Sequence, residues 1–283
     1  MRYQFIDAEK ANYPITMLCR VLGVSRSGFY AWRSDPPSCG DTAEHLLVRE
    51  LQRTYRGALG SRQMAVKLAA HGIHAGRYRA RTLMREAQAP CRQRRRYKAT
   101  TDRDPTHKAA PNLLARAFDV DEPDTAWVSD ITAIWTLQGW LYLAAVMDLY
   151  NREIVGWSLK STMETALVLD ALNMAVDRRS PPRGLLFHSD RGSQYTSEDF
   201  RDRLQALGAI QSMSRKGNCW DNAVMERFFG SLKSEWCEVQ RYRTREEARR
   251  DVVEYIELIY NADRPHTTLG NRTPRAFRAA YAA

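Results

Sequence analysis

No stretch of eighteen consecutive apolar residues occurs in the 283-residue chain, so no membrane-spanning helix is expected. The opening MRYQFIDAEK lacks the apolar centre of a secretory leader, which points to the cytoplasm. The five cysteines (Cys19, Cys39, Cys91, Cys219 and Cys237) are odd in number and form no CxxC pair. Neither a disulfide framework nor a zinc knuckle is supported, and reduced structural thiols are the expectation. Internal repeats and low-complexity segments are also missing.

Acidic residues are scarce in one part only. Residues 1–116 hold 22 Lys and Arg against 9 Asp and Glu, a balance of +13, and the rest of the chain carries −3. A basic first part joined to a slightly acidic second part suits a protein that holds a polyanion with one and binds cations with the other. A merely solubilising surface charge is the plainer alternative.

Residues 14–21 have a helical pattern, with Met17, Leu18 and Val21 apolar. Leu22-Gly23-Val24 turns the chain, and Ser25 caps a second helix with Phe29, Tyr30 and Trp32. This is a small helix-turn-helix at 1–38. A second helical block at 42–90 places Leu46, Leu47, Leu51 and Tyr55 on one face. It continues with a helix opening at Ser61 and, after Gly72, another at 75–87 bearing Arg77, Arg79, Arg81 and Arg85. An arginine-rich second helix after a glycine turn fits a recognition helix, or else a solvated bundle face. Residues 91–119 read as a basic, extended linker, with Arg94, Arg95 and Arg96 suited to a phosphate backbone.

From residue 124 the period changes. Strands are expected at 126–135, 140–148 (WLYLAAVMD), 153–159, 184–188 and 210–214, with helices at 164–176 and 197–206. Two long helices follow at 222–236 and 244–260, the second opened by a Thr244–Glu247 capping box. The order β-β-β-α-β-α-β-α is that of an α/β, RNase-H-like catalytic core at 120–240, a five-stranded mixed sheet with flanking helices. A C-terminal helix and tail at 241–283 complete the chain.

Three carboxylates stand out. Asp130 follows WVS and Asp190 follows FHS, each at a strand end, and Glu226 sits on the helix after DNAVM. Carboxylates converging from two strands and a helix can hold a pair of hard divalent cations, Mg²⁺ or Mn²⁺, that clamp the oxygens of a phosphoryl displacement. Asp221 is read as a cap or turn residue, Glu235 as too near the helix end, and Asp148 as a turn residue. His188 either orients a substrate or is a satisfied structural histidine. Arg191, Gln194, Lys216 and Lys233 are candidate phosphate contacts. Lys233 lies two helical turns from Glu226, and Gly230 leaves room for a DNA backbone.

The runs WVSDIT, FHSDRGSQYTS and SRKGNCWDNAVMERFFGSLKSE, with the tail YNADRPHTTLGNRTP, closely resemble DDE transposases of the insertion-sequence-three family, OrfB type. The resemblance covers nearly the whole chain and puts Asp130, Asp190 and Glu226 at the DDE positions, as catalytic residues and metal ligands. It implies a retroviral-integrase-like core, two Mg²⁺ ions with Mn²⁺ able to substitute, and cutting and joining of DNA strands at the ends of an insertion sequence. The expected partners are double-stranded DNA (terminal inverted repeats and target), further copies of the chain, and an OrfA product, because no leucine heptad opens the sequence. Nucleoid association follows. The alternative is an RNase-H-like nuclease that cleaves without joining.

Overall fold

The computed structural model describes residues 2–34, 42–92, 110–215 and 219–281. The chain divides into two compact units, Met1–Leu47 and Val48–Ala283.

In the first unit, α1 (Arg2–Glu9), α2 (Ile15–Val21) and α3 (Arg26–Ser34) enclose a small core of Ile6, Leu18, Cys19 and Phe29. The Ser25 hydroxyl accepts the Gly28 amide at 3.0 Å, the expected cap. Met17 and Val21, expected on the buried face of α2, are exposed, and Leu18 with Cys19 fills the core instead. The reason is α1, which the sequence pattern did not reveal: its Tyr3 ring lies 6.3 Å from Phe29 and 5.9 Å from Trp32.

The second unit is built on five strands: β1 (Ala126–Thr136), β2 (Gly139–Asp148), β3 (Ile154–Lys160), β4 (Leu186–Ser189) and β5 (Ile210–Met213). Their order is β3-β2-β1-β4-β5. The first three pair antiparallel through short turns, and β4 and β5 add in parallel beside β1. β2 is buried from Leu143 to Asp148 with no alternation, as a central strand covered on both faces must be. The core joins Trp127, Val146, Val155 and Phe187 to α7 (Thr165–Arg179) and to α9 (Glu198–Leu207), the short α8 (Ser193–Thr196) lying between. α10 (Ala223–Ser231) packs against β1 and continues as π-helical turns over Leu232–Trp236. α11 (Arg245–Glu254) packs on β1 and β2 and also passes into π-helical turns, Tyr255–Tyr260. Thr244 caps it, its hydroxyl accepting the Glu247 amide at 3.1 Å. α12 (Pro274–Ala279) closes the tail. No helix of the described residues is long and apolar enough to cross a membrane.

The second helical block was expected to stand apart. From Val48 onward it belongs to the same compact unit as the sheet. α4 (Ala43–Thr54) buries Leu51, with Tyr55 just beyond, as expected, but Val48 rather than Leu46 completes the inward face. α5 (Ser61–Ala70) and α6 (Arg77–Glu86) follow, with Tyr78 exposed. Arg56 donates to both Asp251 oxygens at 2.9 and 2.5 Å and lies 3.7 Å over the Trp236 ring. Lys67 and the Tyr55 hydroxyl both meet Asp263. Such long-range partners leave no local trace in sequence.

The Arg56 and Asp251 side chains are 19% and 14% exposed, and Tyr242 also donates to Asp251 at 2.5 Å. Removing one partner of a buried ion pair strands the other. Asp251→Ala should therefore cost about 3 kcal/mol, read as a melting temperature lower by roughly 6–12 °C. A shift of a degree or two would mean the contact is solvent-screened and incidental.

Part of the expected linker is held against the sheet. Arg94, Arg95 and Arg96 lie outside the described residues. From Ala110 the chain is pinned to β5: the Leu113 and Leu114 amides donate to the Ser212 hydroxyl at 2.9 and 3.1 Å, and Met213 donates to the Pro111 carbonyl.

Candidate active site

Parallel pairing of β1 and β4 aligns Val128 with His188. Two residues further along each strand come Asp130 and Asp190. Period-two alternation then puts both on one face, side by side where β4 ends. The Asp190 carboxylate accepts the Gly192 amide at 2.9 Å, a tight turn that fixes its rotamer. Asp130 accepts its neighbour's amide, from Ile131, at 2.8 Å. Between them lies Tyr195, fully buried, its hydroxyl 2.8 Å from the Ser129 hydroxyl. Burial, then the Asp130 charge, and less strongly the Asp190 charge, hold this phenol well above its ordinary pKa. One buried phenol thus lies within electrostatic reach of both carboxylates.

Glu226 reaches the site differently. The 3₁₀ turn Cys219–Asn222 precedes α10, and the Asn222 amide donates to the Ser129 carbonyl at 3.2 Å. This ties the helix start to the strand residue before Asp130. Glu226 is one turn on, sharing the Asn222 face. It is exposed, yet partial burial raises its pKa, and it has no hydrogen-bond or ion-pair partner among the described residues. The Asn222 Oδ1 is buried without a partner. Among the described residues no group of three acidic, His or Cys side chains is close enough to hold a metal together. The donors offered are all oxygens, two of them adjacent carboxylates, and that set suits a hard divalent cation.

Several neighbours serve the scaffold. His188 is fully buried. The Ser212 hydroxyl accepts two backbone amides, so its own proton points to His188 Nδ1 at 2.8 Å. The imidazole proton then sits on Nε2, facing Ser214 at 3.2 Å. Both ring nitrogens are used, which is the structural role of the two that the sequence left open. Gln194 donates to the Met163 carbonyl at 2.8 Å. Arg191 gives its Nε to the Ser214 carbonyl at 2.7 Å. Asp148 is fully buried, accepting the Tyr150 and Asp124 amides, and desolvation pushes its pKa up to about 7. Glu235 pairs with Arg264 at 2.8 Å. Lys233 is half-buried in the π-helical stretch, where wider turns break the seven-residue alignment with Glu226 assumed from an α-helix. Lys216 falls outside the described residues.

Sequence reasoning undervalued Asp221. Its buried carboxylate accepts from Asn112, Arg116 and three Arg215 positions at 2.9–3.0 Å. The Arg215 hydrogen bond is the largest cause holding its pKa well below the usual range. This hub anchors the chain on both sides of α10's entry. Its only sequence signal is an acid directly before a helix.

Burial lowers the His188 pKa to about 4. An unfolded imidazole titrates near 6.5, so above that pH neither state is protonated and stability is full. As pH falls from 6.5 to 4 the unfolded chain takes up a proton that the fold refuses, and stability drops by about 3 kcal/mol. Urea unfolding at pH 7 and pH 4.5 should show a smaller acid loss for His188→Gln than for wild type. Equal losses would mean His188 charges freely in the fold.

The sheet order β3-β2-β1-β4-β5, with α10 beside β1, is that of an RNase-H-like α/β core. Asp190 stands just past β4 as expected, whereas Asp130 lies midway along β1 rather than at its end, because β1 runs on to pair with β2 as far as Thr136. Two integrase core domain models match the chain, at residues 120–219 and 207–274. It is 43% identical to the "Insertion element IS600 uncharacterized 31 kDa protein" of Shigella sonnei, over 93% of this chain and 98% of the relative. It is 35% identical to "Transposase InsF for insertion sequence IS3A" of Escherichia coli (strain K12), over 98% of each. Among solved structures it is similar to the HTLV-2 integrase catalytic core domain in complex with magnesium, at 16% identity and TM-score 0.43, covering 55% of this chain and 96% of that one. A simian T-cell lymphotropic virus intasome matches at 16% identity and TM-score 0.47, over 80% and 72%. The chain belongs to the IS3 family of DDE transposases, and it is a polynucleotidyl transferase.

Proposed function

We propose that Asp130, Asp190 and Glu226 form one metal-dependent centre that cuts DNA at the ends of an insertion sequence and joins the freed 3′-OH to target DNA. The observation carrying this is the β1–β4 register, which sets two carboxylates side by side over one buried phenol, with Glu226 on a helix tied to the same strand. Mg²⁺ ions, with Mn²⁺ able to substitute, would be held as a pair by these oxygens and would neutralise charge on the attacking and leaving oxygens. The chain's own contributions are positional. The Gly192 amide orients Asp190, the Ser129–Tyr195 pair keeps water out from below, and Asn222 sets the angle of α10. Glu226 lies on the first turns of α10, and a bound cation would favour its carboxylate over the protonated form that partial burial promotes.

DNA is held by the exposed arginines of α6 (Arg77, Arg79 and Arg81), by Arg191 and Lys233, and by Arg94, Arg95, Arg96 and Lys216 in the undescribed segments. Gly230 is exposed with open space around it, leaving room for a backbone to approach. Pairing two element ends calls for more than one copy of the chain, acting at the nucleoid with an OrfA-type partner for end recognition. Incubating the protein with a labelled element end, target DNA and Mg²⁺ tests this reading. Joined product is expected, whereas cleavage without joining would leave only the nuclease.

A further inference from the structure

Away from the carboxylates, a cleft of about 880 Å³ opens beside α10. Its walls carry six arginines, Arg62, Arg77, Arg116, Arg152, Arg227 and Arg264, against a single acid, Asp119, whose exposed carboxylate stands 3.6 Å from Arg152. Arg116 and Arg264 are matched by Asp221 and Glu235 behind the wall. Arg62, Arg77 and Arg227 are exposed and have no ion-pair partner among the described residues.

Two buried atoms lining the same cleft lack partners. Arg152, in the turn between β2 and β3, uses one Nη on the Phe118 carbonyl at 2.9 Å, and its other Nη is buried with nothing to bond. His266 is 9% exposed, and its Nε2 is likewise unsatisfied. Unpaired buried polar atoms are costly and rare, and two opening on one cationic cleft point to a missing ligand. Both helices that start at the rim add to this. α5 and α6 are preceded by Gly60 and Gly76, which have no side chain to cap them, so their first-turn amides remain free for an anion. The unpaired charge of Arg62, Arg77 and Arg227 favours an anionic occupant.

We infer that this cleft binds a backbone phosphate of a DNA strand, at a position separate from the scissile phosphate. The inference rests on the DNA-processing reading above. α10 links the two places: Ala223, Arg227 and Ser231 recur every four residues along the cleft, whereas Asn222 and Glu226 lie on a different face. One rigid helix thus sets the spacing between a phosphate being cut and a phosphate being held. The tail segment from Tyr260 to Thr268 gains a role here, because it supplies Arg264 and His266 to the wall.

Arg227→Ala and Arg62→Ala, both at exposed positions, are the variants of choice, with Arg227→Lys as the conservative control. The readout is affinity of the full chain for a fluorescent duplex carrying an element end, without metal, across a salt series. Each alanine variant should weaken binding several-fold and reduce the slope of log K against log salt by about 0.9, one phosphate's worth. Arg227→Lys should retain the slope. Wild-type slopes in both alanine variants, alongside tight wild-type binding, would overturn the cleft proposal alone. No duplex binding by wild type would overturn the DNA reading and the cleft together. Thermal stabilisation of wild type but not Arg227→Ala by inorganic phosphate, with unchanged duplex slopes, would mark a free-phosphate site and also refute the proposal.

Discussion

Asp130→Asn and Asp190→Asn should each lower strand-transfer rates by roughly a thousandfold or more, while duplex affinity without metal stays within about twofold. The magnitude follows from the several kcal/mol that a metal contributes to a phosphoryl displacement, each 1.36 kcal/mol being tenfold in rate. Asparagine preserves shape and keeps one oxygen but removes the charge that holds a cation. The fold should tolerate either change, since Asp190 keeps an oxygen for the Gly192 amide and Asp130 one for Ile131. Filter binding beside single-turnover joining separates the two effects. Losing DNA affinity along with activity would mean the aspartates act through structure.

Gly156→Ala should be the most damaging conservative change in the core. Gly156 lies on β3 opposite Val146, next to the register shift before Met147. A Cβ there would collide with the Ala171 carbonyl oxygen and sit 2.7 Å from the Ala175 nitrogen, both on α7. The obstruction is helix backbone, so no side-chain rotation relieves it, and strand and helix must separate. At least ~3 kcal/mol is expected from overpacking of this kind, a melting temperature lower by roughly 6–12 °C. An alanine variant within about a degree of wild type would show that α7 can shift freely on the sheet.

Much of this architecture could be read before any coordinates. The apolar runs at β2 and β4 and the Thr244 cap are local signals, and each sits where the structure has it. The buried stripe Met225, Phe228, Phe229 and Leu232 was legible for the same reason. What escaped was set by distant partners or by backbone geometry. α1 is defined by packing on Phe29 and Trp32. The π-helical turns after Ser231 and Glu254 reflect hydrogen-bond spacing that side chains do not encode. His188 looked reactive in sequence because Ser212 and Ser214, which satisfy it, lie more than twenty residues away. At the site, strand alternation puts Asp130 and Asp190 on one face, but the placement of Glu226 depends on how α10 leaves the turn at Cys219–Asn222.

That dependence makes Glu226 the residue on which the account turns. The most direct measurement is single-turnover joining of a labelled element end to target DNA in Mg²⁺, wild type against Glu226→Gln, at matched DNA occupancy. Joined product from wild type and none from Glu226→Gln is the predicted result, and it would make the third carboxylate part of the working centre. Joining by Glu226→Gln at the wild-type rate would contradict it and leave the aspartate pair as the whole of the metal site.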